Sequence, residues 1–307
     1  MRADEWVEAM AVTKQFPGDT GKEKPEMRKT IRKMIPPIVI LLIAGLALFT
    51  PSLVRAQPAR PEGSGEAMLE QVMKRGVLRV GMSTFVPWAM QDKSGNFIGF
   101  EIDVANRLAR DMGVKPEFIP TKFSGIIPSL LTGKFDIIIG GMGIRPERNL
   151  KVNFSIPYDY TGMSIVAHRK LAAGFKKLGD FNNPAVSIAS RTGTTAAAAV
   201  TRFMPKAKLR LFDDESQAFQ ELLLGRVHAV IASAPLPAYQ ALANPDRLFL
   251  PLKEEFTREP IGFVLRKGDF DSMNFLDNWI RVTEAEGWLK DRKHYWFGTK
   301  EWEKLIK

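Results

Sequence analysis

Arg148 stands five residues after the last glycine of a Gly140-Gly141-Met142-Gly143 loop and two after Pro146. Glycines leave backbone N–H groups open to a ligand, and a guanidinium adds two parallel donors, so this spacing suits capture of a carboxylate. The flanking residues read as the elements that hold the loop. Ile126, Ile127, Leu130 and Leu131 recur at helical spacing, Gly133 stands where a left-handed helix end is wanted, and Lys134 suits the negative helix terminus. Phe135–Ile139 reads as a short strand buried on both faces. It empties into the glycines, and Pro146-Glu147-Arg148 opens the next helix with proline near its first position and acid in its first turn. A strand that runs into a glycine loop and a helix N-terminus makes an anion site at the carboxyl edge of a sheet. A tight turn beside a solvated arginine fits the same residues, and the segment alone leaves both readings open.

Other reactive groups are sparse. The 307 residues include no cysteine, which excludes structural disulfides and thiol chemistry. The three histidines fall in an expected hinge (His168), inside an expected strand (His228) and in the C-terminal tail (His294), away from the crevice loops. No catalytic residue, metal site or cofactor is therefore assigned. Net charge is +10, of which +7 follows residue 56, and the basic residues are scattered rather than run together. Nucleic acid is not an expected partner.

Residues 27–34 form a basic segment, Ile38–Phe49 is an apolar stretch, and Val54-Arg55-Ala56 offers small residues where a signal peptidase reads. Residues 1–56 are thus expected to be a cleaved leader, with Gln57 as the new terminus and Met27 as the better start. The apolar stretch is short for a membrane span of ~20 residues, and without cysteine a lipid anchor has no attachment point. A soluble protein between two membranes is expected.

Residues 57–75 read as a linker and short helix. Val77–Gly81, Phe118–Pro120 and Phe135–Ile139 read as strands separated by helices, an α/β pattern. The segment LLTGKFDIII at Leu130–Ile139 is echoed by LLLGRVHAVI at Leu222–Ile231. Each is a helix, a glycine, a basic residue and a strand, which implies two similar lobes whose strand ends, Gly140-Gly141 and Ala232-Ser233, face one crevice. The expected lobes are 76–165 plus 262–307 and 166–261, with hinge crossings near Gly162–Lys170 and Glu259–Lys267.

The chain from Gly76 to Gly298 resembles the periplasmic polar-amino-acid-binding proteins, the glutamine-, histidine- and lysine/arginine/ornithine-binding group. The resemblance rests on GVLRVG at Gly76, FVP at Phe85, GFEIDVA at Gly99, FSGIIPSLLTGKFD at Phe123, ERN…NFSIPY from Glu147, RTGTT at Arg191 and WFGT at Trp296. It implies a type II periplasmic binding protein fold, two lobes each with a mixed sheet flanked by helices, that closes on a solute and delivers it to an inner-membrane ABC permease. It further implies that Arg148 and the backbone of Gly141, Met142 and Gly143 hold a ligand carboxylate. Phe85 and Phe123 would sandwich the ligand side chain, with Trp88 beside them, and Thr192-Gly193-Thr194 would meet the carboxylate from the second lobe.

The departures bear on the ligand. The family places acids in the first exit loop and at the end of a second-lobe strand, where they bind an α-ammonium; the matching residues here are Met82 and Ser233. Arg191 replaces a typically small residue. An amino acid or related small carboxylate is expected, with an amine-free or acidic carboxylate favoured by these changes, unless an ammonium finds Glu101 or Asp103. A monomeric periplasmic binding protein is the reading. The alternative is a cyclohexadienyl-dehydratase-like enzyme on the same fold.

Overall fold

A computed structural model describes residues 66–306; the expected leader and all but the end of the linker lie outside the described residues. The first lobe starts with α1 (Met68–Arg75), β1 (Val77–Met82), the β2–β3 hairpin (Met90–Gln91, Phe97–Ile98), α2 (Phe100–Asp111) and β4 (Lys115–Pro120). A 3-10 turn at Phe123–Gly125 leads into α3 (Ile126–Leu131), β5 (Ile137–Ile138), the single-turn α4 (Pro146–Asn149) and β6 (Asn153–Phe154). After β7 (Asp159–Thr161) the second lobe runs β8 (Met163–His168), α5 (Leu178–Phe181), β9 (Ser187–Arg191), α6 (Thr195–Phe203), β10 (Lys208–Phe212), α7 (Glu215–Leu223), β11 (Ala229–Ser233), α8 (Leu236–Ala243) and β12 (Leu248–Phe249). The chain returns through β13 (Glu259–Ile261) and β14 (Val264–Leu265) and closes with α9 (Phe270–Ala285) and α10 (Trp288–Lys293).

Two five-stranded mixed sheets result, ordered β4-β1-β5-β14-β6 and β10-β9-β11-β8-β12. In each, four strands run one way and the fourth in order, β14 or β8, runs antiparallel between its two neighbours. The sequence echo is therefore a topological one: α3–β5 and α7–β11 occupy equivalent places. It extends to single bonds. Asp136 accepts the Arg79 N–H at 2.8 Å before β5, and His228 Nδ1 accepts the Ser187 N–H at 3.1 Å before β11. Asp136 is the charged residue within the 135–139 run. Its carboxylate is buried between Arg75 and Arg79, which pays its desolvation cost and pins β5 to β1.

Antiparallel β7 and β13 form the ribbon that joins the lobes. All of β8 pairs within the second sheet, so the first crossing lies at Asp159–Thr161, upstream of the expected 162–170 and of the 165/166 boundary. Residues 163–165 looked hinge-like because one apolar run serves equally well as a crossing or a buried strand. The second strand of this ribbon begins at Glu259. The last long helix starts at Phe270, where Asp269 caps it by accepting the Ser272 N–H at 3.1 Å.

Candidate functional site

The crevice is lined by the carboxyl ends of β1 and β5 from one lobe and β9 and β11 from the other. Arg148 projects from α4 into it. Its Nη1 donates to Gly143 O at 2.8 Å and its Nη2 crosses the crevice to Gly193 O at 3.0 Å. Burial, and secondarily Arg145, push its guanidinium down to about 10. The charge of an anion beside it would oppose both effects. A groove of about 250 Å³ runs between Arg148 and the first turn of α6.

Arg191, at the end of β9, reaches the other way. Its Nη1 donates to Ser83 Oγ at 3.2 Å and to Thr84 O at 3.4 Å in the first lobe. Its guanidinium lies 4.6 Å from the centre of the Phe123 ring and 5.1 Å from that of Phe85, while Arg148 lies 5.6 Å from Phe123 on its own account. Two cations from opposite lobes thus flank one ring. Among the described residues neither takes part in an ion pair.

Several expected site residues turn elsewhere. Met82 is fully buried against Ala89 and Ile102 in the first-lobe core, and the cleft-facing residue of that loop is Ser83. The alternation of Leu78, Val80 and Met82, all inward, was the sequence signal for this. Met142 is buried with Phe123 and Ile126, leaving only its backbone near the loop surface. The Gly141 N–H favours the charged form of the buried Glu101 carboxylate, whose Oε1 has no hydrogen-bond partner. Trp88 backs Phe85 at 5.4 Å and donates from Nε1 to Ala234 O at 3.3 Å, so it supports the slot and ties the lobes without lining it. The Thr192 hydroxyl donates to Phe212 O, and the Thr194 hydroxyl donates to Arg191 O while capping α6 through the Ala197 N–H. Both hydroxyls hold their own loop together. Ser233 ends β11, half-buried, opposite Met163.

The two spare acids are also committed. Glu101 is buried, accepts the Tyr158 hydroxyl at 2.7 Å, and is pushed up to about 8 by desolvation. Asp103 accepts the Trp296 Nε1–H at 2.7 Å. A ligand ammonium finds neither of them in the crevice. The histidines lie outside it too: His168 and His228 meet through a backbone bond of 2.9 Å, and His294 lies beside Gly298.

Residues 78–299 match the model of the bacterial extracellular solute-binding proteins, family 3. The L-cystine-binding protein TcyJ of Escherichia coli (strain K12) is 29% identical over 234 residues, covering 76% of this chain and 87% of that protein. Cyclohexadienyl dehydratase of Pseudomonas aeruginosa is 25% identical, over 84% of this chain and 93% of that enzyme. A crystal structure of the ancestral amino acid-binding protein AncCDT-1, described as a precursor of cyclohexadienyl dehydratase, is 42% identical with a TM-score of 0.70; the match covers 76% of this chain and all of that one.

Proposed function

Because the chain belongs to the bacterial extracellular solute-binding proteins of family 3, we propose that it captures a small organic anion without a free α-amine and hands it to an inner-membrane ABC permease. The carrying observation is the pair of guanidiniums, Arg148 and Arg191, near Phe123 from opposite lobes, with neither in an ion pair among the described residues. The positions where the family places ammonium-binding acids hold Met82, turned into the core, and Ser233. An ammonium buried between two cations without an acid is costly, whereas a desolvated carboxylate gains from both. A dicarboxylate, or a 2-oxo or 2-hydroxy acid, fits these charges. Arg148 clamps one carboxylate, with the α6 end of the second lobe opposite it. Arg191 meets the other end of the ligand and links the lobes as they close about β7 and β13.

Export through the leader at residues 1–56 and action as a periplasmic monomer complete the proposal. Capture without turnover is supported by the amino-acid-binding relatives. The dehydratase relative supports the rival, that a cyclohexadienyl carboxylate is consumed.

Calorimetry against matched sets, an amino acid with its 2-oxo analogue and the corresponding dicarboxylate, tests the ligand class. Heat from the analogues and none from the amino acid is the expected result. Tight binding of the amino acid alone overturns the anion reading. Loss of a cyclohexadienyl carboxylate from solution, followed by proton NMR, would establish the enzyme instead.

A further inference from the structure

A second chamber lies between the lobes, apart from the Arg148 groove. It encloses about 370 Å³ between the first-lobe segment 84–91 and the second-lobe helices α7 and α8. Phe85, Phe219 and Leu236, all buried, give it apolar walls. Glu215, the first residue of α7, lines it while only 8% exposed, and its Oε2 has no hydrogen-bond partner. First-turn acids ordinarily stand in water, where they offset the helix dipole. This one is withdrawn from water, and burial raises its carboxyl above the usual range despite the opposing charge of Arg191. Arg191 does not satisfy it. Its Nη1 is spent across the crevice on Ser83 and Thr84, and no ion pair joins the two among the described residues. A buried carboxylate without a partner is expensive, and a cation bearing N–H donors removes the expense. Asp214 and Gln240 at the lining add acceptors, and the aromatic walls favour an organic cation over a metal ion.

We propose that this chamber binds a small organic ammonium or guanidinium group, with Glu215 as its counter-ion. The site rests on lobe closure and not on what Arg148 holds. Its walls come from both lobes, so a bound amine favours the closed form. By linkage, an anion bound at Arg148 then raises the affinity for the amine, and the amine raises that for the anion.

Calorimetry of the full chain with butylamine and with 1,5-diaminopentane tests the site in three proteins. Wild type should bind both amines, Glu215→Gln should bind them at least tenfold more weakly, and Arg148→Ala should retain them. Gln240→Arg, which tethers a cation inside the chamber, should block them and keeps the test open if Glu215→Gln does not fold. Equal affinities in wild type and Glu215→Gln, or no amine binding by a wild type that takes up an anion, overturn the proposal. Amine binding by a wild type that takes up no anion supports this site and sinks the anion reading of Arg148.

Discussion

The Arg191 guanidinium of the second lobe lies 4.6 Å from the centre of the Phe123 ring of the first. With Phe85 at 5.1 Å, Arg191 lies against both of the rings expected to sandwich a ligand side chain. A contact of this kind contributes about 0.5–2 kcal/mol depending on its desolvation, and the bonds to Ser83 and Thr84 add to it. Arg191 thus joins the two lobes and brings a positive charge to the crevice.

Replacing it by glutamine keeps a polar side chain and removes the charge. Arg191→Gln should bind a dicarboxylate at least tenfold more weakly by calorimetry, and loaded protein should scatter with a larger radius of gyration than wild type. Unchanged affinity would show that Arg191 holds the lobes without touching the ligand.

Arg148→Lys separates charge from geometry. Lysine keeps a cation but loses the fork that reaches Gly143 O, Gly193 O and a carboxylate together. The expected loss for a desolvated clamp is roughly 2–5 kcal/mol, at least tenfold in affinity. An equally tight lysine variant would assign carboxylate recognition to backbone groups instead.

Gly193 reports on closure. Its φ of +77° suits glycine, and a Cβ there would stand 3.3 Å from Ser124 Cα in the opposite lobe. Gly193→Ala carries the backbone cost of the left-handed region, about 1 kcal/mol, whether the lobes are open or shut. The Ser124 contact burdens only the closed form, because backbone cannot turn aside. Affinity should therefore fall further than thermal stability, with a loaded radius of gyration above that of wild type. Parallel losses in both would mean that the lobes tolerate the methyl group.

Much of this arrangement was legible in the chain. The 130–139 and 222–231 echo forecast two equivalent lobes because each unit carries its own helix end and strand signal. The Gly-rich loop placed Arg148 in the crevice because helix and strand ends are local properties. Side-chain direction was less legible. Met82 was assigned to the cleft by alignment, although the alternation through Leu78 and Val80 put it in the core. Thr192 and Thr194 look like ligand donors in sequence, yet nearby carbonyls claim both hydroxyls. Glu215 carries no signal at all, since a first-turn acid reads as solvated, and its burial depends on the other lobe.

Glu101 makes the last prediction. It lies buried beneath the glycine loop, and desolvation pushes its carboxyl up to about 8. The Tyr158 hydroxyl, 2.7 Å away, and the Gly141 N–H oppose the rise, while the charge of Asp159 adds to it. Lys293 neutralises part of that charge through its own bond to Asp159 at 2.6 Å. In the unfolded chain a glutamate titrates near ~4.3. Between that value and about 8 the folded protein keeps a proton that the unfolded chain has released, so stability falls as pH rises through this window. The slope is at most ~1.4 kcal/mol per pH unit from this group. Glu101→Gln retains an oxygen to accept from Tyr158 and cannot ionise. Its melting temperature should change less than that of wild type between pH 5 and pH 8, and at pH 8 it should be the more stable protein. Parallel stability curves for the two proteins across this range would mean that Glu101 is ionised in the fold, with its charge met by Tyr158 and Gly141 alone.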